Sequence, residues 1–133
     1  MYKLRVLIAD SASPLRQFIK YALEDHFPGI VTEMANNGKN IQHRLESNRY
    51  DLIIYEKEMP MLDGITLLEW LRNSERLKNT PLVLTSADSD EVSLRKAAQL
   101  GADAYLLKPF KVDNLVKKVA SIVNRLDSGT SQI

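Results

Sequence analysis

Five short apolar runs, at residues 4–9, 30–34, 52–55, 81–85 and 104–107, each precede a stretch with helical spacing. Unbroken apolar runs of this length suit strands covered on both faces, as in a parallel sheet. The clearest is Leu52-Ile53-Ile54-Tyr55, which gives way abruptly to Glu56-Lys57-Glu58 and a loop set by Pro60 and Gly64. The intervening stretches carry one apolar stripe each. In the first it is Leu15, Phe18, Ile19, Ala22 and Leu23, with Ser13 expected as N-cap and Pro14 as the first helical residue. The second, after Asn36-Asn37-Gly38, has only Ile41 and Leu45 and is the weakest pattern. The third, over 65–72, has Leu67, Leu68 and Leu71. A fourth, capped by Ser89 or Asp90, carries Val92, Leu94, Ala97, Ala98 and Leu100, and Gly101 is placed to end it in a left-handed cap. The last spans 112–126, with Val112, Leu115, Val116, Val119, Ile122, Val123 and Leu126 on one side.

Five strands alternating with five helices imply right-handed crossovers and a parallel sheet between two helical layers. The expected fold is therefore α/β, a flavodoxin-like doubly wound (βα)5 domain over residues 1–126. Residues 127–133 lose the apolar pattern and read as a polar tail or linker.

Composition narrows the function rather than the fold. A chain of 133 residues buries roughly two-thirds of its unfolded surface, enough for one core. The net charge of +1 gives no reason to expect nucleic acid or an anionic membrane as partner. There are no cysteines, so disulfides and thiolate metal sites are excluded. The N-terminus lacks a signal-peptide layout and no run reaches membrane-spanning length, so a cytoplasmic location is expected. His26 and His43 stand apart without ligand spacing; Met59 and Met61 are expected to cover the core, and Trp70 to pack or to lie on the surface of the third helix.

Chemistry collects at the strand ends. Asp10 and Ser11 end the first strand, Glu56 the third, Thr85 and Ser86 the fourth and Lys108 the fifth. In a parallel sheet these ends share one edge, where open α/β sheets form their crevices. Any one of them is an ordinary strand-end residue. Together they describe a site.

The chain resembles the receiver domains of two-component response regulators, especially single-domain chemotaxis receivers, over about residues 4–126. The resemblance rests on Val6-Leu7-Ile8-Ala9-Asp10, Asp51-Leu52-Ile53-Ile54, Met59-Pro60-Met61-Leu62-Asp63-Gly64, Leu84-Thr85-Ser86-Ala87, Gly101-Ala102-Asp103-Ala104-Tyr105 and Lys108-Pro109-Phe110. It implies an acidic pair holding Mg²⁺ after the first strand, and an aspartate ending the third strand that accepts phosphate from a histidine kinase. It also implies Thr85 and Lys108 as phosphate-binding equivalents, Tyr105 with Thr85 as switch residues, and a cis bond before Pro109. Partners would be a histidine kinase, an output domain or another signalling protein. Lys117, Lys118 and Arg125 are read as a solvated face or, with Tyr105 and Lys111, as part of a docking surface on the fourth helix, fifth strand and fifth helix.

Two positions depart from that pattern. Glu56 stands where the family has its phosphoacceptor aspartate, and Ser11 replaces the second acid of the metal pair. Any remaining Mg²⁺ site would use Asp10, Glu56 and the Glu58 backbone, one carboxylate short, so no cofactor is expected and metal binding would be weakened. Glutamate would carry a phosphoryl group roughly 1.5 Å further out, one carbon–carbon bond. A misplacement of about 1 Å can cost on the order of a hundredfold in rate. The expectation is a non-enzymatic signalling module working through protein–protein contacts without conventional aspartyl phosphorylation. Glu56 either pairs with Lys108 to favour an active-like arrangement or forms a purely structural ion pair with it. Two alternatives stand beside it: slow residual phosphotransfer on Glu56, and an FMN binder using Ser11-Ala12-Ser13 as a phosphate loop.

Overall fold

The computed structural model describes residues 3–131, with side chains described through residue 126. Five strands, β1 (Arg5–Ala9), β2 (Val31–Ala35), β3 (Leu52–Glu56), β4 (Leu82–Ser86) and β5 (Ala104–Leu107), alternate with five helices. The helices are α1 (Ser13–His26), α2 (Ile41–Ser47), α3 (Gly64–Arg72), α4 (Glu91–Gln99) and α5 (Val112–Ser131). The sheet order is β2-β1-β3-β4-β5 and every pairing is parallel. This is the expected doubly wound fold.

Side-chain alternation along the strands sorts the core into two layers. Leu7, Ile53, Tyr55, Leu82 and Leu84 face α2, α3 and α4, where Ile41, Leu45, Leu67, Leu68, Leu71 and Ala97 close over them. Val6, Ile8, Leu52, Ile54 and Val83 face α1 and α5, meeting Ile19, Leu23, Leu115, Val119 and Ile122. The central strands β3 and β4 are buried at every residue, so period-2 polarity is absent from them. α2 survives with few apolar residues because both of its stripe positions, Ile41 and Leu45, are fully committed to the core.

The local departures from expectation have physical causes. Ser13 is not the cap of α1: the N-cap is Ala12, without a side-chain cap. The Asp10 carboxylate accepts the Ala12 N–H at 2.8 Å, so the strand-end acid shapes the helix entry instead. At α4, Asp90 is the cap and accepts from Val92 N–H. Gly101 ends that segment at φ +84°, a left-handed position that glycine adopts without a Cβ penalty. Met61 does not cover the core. It sits at φ +73° and is 71 % exposed, whereas Met59 is buried. Trp70 packs partly buried against the α2–α4 layer.

The last helix runs beyond Leu126 to Ser131, because a nucleated helix propagates residue by residue without needing an apolar stripe. The part of the expected tail at residues 127–131 is thus helical backbone, and residues 132–133 lie outside the described residues. No helix among the described residues is long and apolar enough to cross a membrane.

Candidate functional site

The sheet's hydrogen-bond ladder continues one step past the strands and carries the polar residues to a common edge. Asp10 N–H donates to Ala35 O, Lys57 N–H to Thr85 O and Lys108 N–H to Ser86 O. Glu56 is the last residue of β3 and pairs in register with Thr85. Its backbone is pressed from the other side by α3. A Cβ on Gly64 would lie 2.9 Å from Lys57 Cα and 3.2 Å from Glu56 O, and Gly64 N–H donates to Lys57 O at 2.8 Å. Glycine is what lets the α3 N-terminus dock there. Asp63 starts that helix by accepting the Thr66 N–H and hydroxyl.

Glu56, Asp10, Ser11 and Lys108 meet at the centre of this edge. Lys108 Nζ lies 2.6 Å from Glu56 Oε2 and 2.8 Å from Asp10 Oδ2. Glu56 Oε1 accepts both the Ser11 N–H at 3.0 Å and the Ser11 hydroxyl at 2.7 Å. The contact to Asp10 Oδ2 is ionic but oblique, leaving that oxygen without a well-directed hydrogen bond. Both oxygens of Glu56 are therefore engaged, one by a cation and one by two dipoles.

Electrostatics follow from the packing. Burial pushes the Glu56 carboxyl up, but Lys108 and the two Ser11 donors outweigh it and hold its pKa below the ordinary value. Burial likewise lowers the Lys108 ammonium, and the contacts with Asp10 and Glu56 more than reverse this. The cluster is two carboxylates sharing one ammonium. At neutral pH Glu56 is ionised and Lys108 is charged.

A second network flanks the first. Ser86 Oγ donates to Glu58 Oε2 at 2.6 Å, and Lys57 Nζ lies 3.5 Å from Glu58 and 3.7 Å from Asp88. Burial lowers the Lys57 pKa, but Tyr105, Glu58 and Asp88 raise it further, for a net rise. Tyr105 is half-buried, its ring against the α2–α4 core and its hydroxyl 3.4 Å from Asp88 O. The Glu58 side chain thus turns to β4 instead of the Asp10–Glu56 centre, a role the sequence reading missed. The Lys108–Pro109 peptide is cis.

These residues do not suit a magnesium ion, which needs near-octahedral oxygen ligation. The Lys108 ammonium bridges the two carboxylates, and Asp10 Oδ1 is taken by Ala12 N–H. Among the described residues no three His, Cys, Asp or Glu side chains cluster as a metal site, and His26 instead contacts Ala22 O. Around Ser11, the hydroxyl and N–H face a carboxylate, not the vacant anion cradle an FMN phosphate would require.

Comparisons with known proteins define the class. The family model described as the response regulator receiver domain matches residues 6–120, and the chain belongs to that family. It is 32 % identical over 124 residues to the chemotaxis protein CheY of Pseudomonas aeruginosa, covering 93 % of this chain and 99 % of that one. It is 34 % identical over 122 residues to the transcriptional activator protein IrlR of Burkholderia pseudomallei, covering 92 % of this chain but 51 % of that protein. Among solved structures, a receiver domain of the Francisella response regulator 1452 superposes with a TM-score of 0.81 at 36 % identity, over 92 % of this chain and 98 % of that one. The response regulator CheY4 of Vibrio cholerae gives 0.80 at 25 % identity, over 91 % and 99 %. The protein is a CheY-like receiver domain of two-component signalling. Receivers of this family work with histidine kinases, output domains or other proteins.

Proposed function

We propose that this receiver signals by binding a partner protein without conventional aspartyl phosphorylation, its phosphoacceptor position being filled by Glu56. One observation carries the reading: both Glu56 oxygens are already engaged, Oε2 by Lys108 and Oε1 by Ser11. An incoming phosphoryl group would have to break the ion pair, displace the Ser11 donors and react without the second metal-binding acid. In this proposal Lys108 holds Glu56 in place of a phosphate oxygen, and Thr85 and Tyr105 form the switch beside it. The docking face is α4, β5 and α5. Support for its β5–α5 side comes from a groove of about 580 Å³ lined by Tyr105, Leu107, Phe110, Lys117 and Lys118, Leu107 being exposed.

The test is intact mass after incubation with Mg²⁺ and a small-molecule phosphodonor, for wild type beside the double variant Ser11→Asp, Glu56→Asp. The expected outcome is no mass gain in wild type and a gain of one phosphoryl group in the variant. A gain in wild type would show a working phosphoreceiver and end the proposal.

A further inference from the structure

A crevice lies away from the acidic centre, between the start of α1, the end of β2 and the face of α2. Its volume is about 760 Å³, within the range of roughly 300–1,000 Å³ typical of small-molecule sites. The lining is unlike the chain as a whole. The sequence balances 18 Lys and Arg against 17 Asp and Glu. Around this crevice stand Arg16, Lys39, His43 and Arg44, and no acidic residue at all.

The cations differ in how far they are spent. Arg44 is compensated, donating to Glu33, Tyr50 and Met34 O. Arg16 is fixed by donation to Asp10 O at 2.7 Å, and among the described residues neither it nor Lys39 has a carboxylate within ion-pair distance. Two uncompensated cations thus face the same space, one of them already immobilised, so less ordering entropy opposes binding there. The remaining wall suits a flat polar body: Met34 and Ala35 supply apolar surface, and the Asn36 and Gln17 amides supply donors and acceptors.

We propose that this crevice binds a small phosphorylated ligand of nucleotide size, its phosphate between Arg16 and Lys39 and its heterocycle against Met34. The crevice is separate from the Glu56 centre but touches it mechanically, since Arg16 holds the carbonyl of Asp10. The site does not depend on whether the receiver is phosphorylated.

Isothermal titration calorimetry at low ionic strength tests it, with AMP, ribose 5-phosphate, inorganic phosphate and adenosine as probes. The expected result is that AMP binds more tightly than inorganic phosphate and adenosine. Lys39→Glu and His43→Glu, both at exposed positions, should weaken AMP by at least about tenfold, the scale of one charged hydrogen bond. Lys78→Glu, an exposed position in the loop before β4, should leave it unchanged. Absence of AMP binding at millimolar concentration overturns the proposal. So does inorganic phosphate or adenosine binding as tightly as AMP, or an AMP affinity that neither crevice variant moves.

Discussion

Two carboxylates in this domain are each gripped by a hydroxyl and by cations, and they have different consequences. Glu33, in the middle of the edge strand β2, accepts from the Tyr50 hydroxyl at 2.6 Å and from Arg44 at 3.1 Å, and also pairs with Arg5. Glu56, at the end of the central strand β3, accepts from the Ser11 hydroxyl and pairs with Lys108. At β2 one acid has two guanidiniums; at β3 two acids share one ammonium. The Glu33 cluster joins β1, β2, α2 and the residues just before β3 on the flank of the sheet, away from its carboxyl edge, and its charged side chains are about a third exposed. The Glu56 cluster lies at the carboxyl edge of the sheet and is nearly closed. Surplus cation makes a staple; shared cation makes a centre that responds to the loss of any one member.

The largest effect should come from Lys108→Met. Removing one partner of a buried ion pair typically costs about 3–5 kcal/mol, and here two carboxylates would be left facing each other. We expect a fall of that order in urea-melt stability at pH 7. The pH dependence sharpens the test. In the variant Glu56 keeps the burial that raises its pKa and loses the ammonium that lowers it, so its folded pKa moves up relative to wild type; protonation then favours the folded state at low pH, and that advantage is lost as pH rises through the folded pKa. The variant's deficit relative to wild type should therefore shrink as pH is lowered from 7 into the acidic range. A deficit that stays constant over that interval would mean the two acids are not coupled through Lys108.

The two regions meet at Gly38. Its N–H donates to Pro60 O at 2.7 Å, tying the β2–α2 loop to the loop after β3. A Cβ there would lie 2.3 Å from Leu62 Cβ and 2.7 Å from Leu62 N, and the second contact is backbone that cannot swing aside. Gly38→Ala should cost about 1–3 kcal/mol by overpacking. Because the strain falls on the 57–63 loop, it should also broaden NMR signals of Lys57 and Glu58 while leaving Glu33 and Tyr50 unchanged. Equal disturbance at both clusters would make the loop contact a general brace of the fold.

How much of this was legible in the sequence follows from how local each feature is. The strands and helices were, because apolar runs and 3.6-residue stripes are properties of neighbouring residues. So was the gathering of Asp10, Glu56, Thr85 and Lys108 on one edge, since parallel strands must end together. The Glu56–Lys108 pair could be anticipated from the longer arm of glutamate, but Asp10 as a second partner of the same ammonium could not. That depends on where a flexible lysine settles between two acids. In the sequence Ser11 is simply the absence of an acid; its part as two donors to Glu56 appears only once the β1–α1 turn is built. The Glu33 cluster left no sequence signal beyond an acid inside a strand. Its partners lie 28, 11 and 17 residues away, and only the register of β1 with β2 and the placement of α2 bring them together.

The smallest effect, and the sharpest contrast with Lys108, should come from Glu33→Gln. The Tyr50 hydroxyl, with Arg5 and Arg44, overcomes partial burial and holds the Glu33 carboxyl down at about 2 from an ordinary 4.5. A depressed folded pKa contributes stability that is complete above the unfolded value and lost as pH falls through the folded one. The wild-type domain should therefore lose that contribution between about pH 4.5 and pH 2, and Glu33→Gln should flatten this part of its acid-unfolding curve. Because the Glu33 side chain is about a third exposed, at 31 %, the loss at pH 7 is discounted for solvent screening to about 1–2 kcal/mol. Glutamine keeps an acceptor for Tyr50 and leaves Arg5 and Arg44 without that carboxylate near water, where they rehydrate cheaply, Arg44 keeping its bonds to Tyr50 and Met34 O. Lys108→Met leaves two acids unpaired where water is scarce. If Glu33→Gln costs as much as Lys108→Met at pH 7, solvent access does not separate the clusters, and the staple is as critical to the domain as its centre.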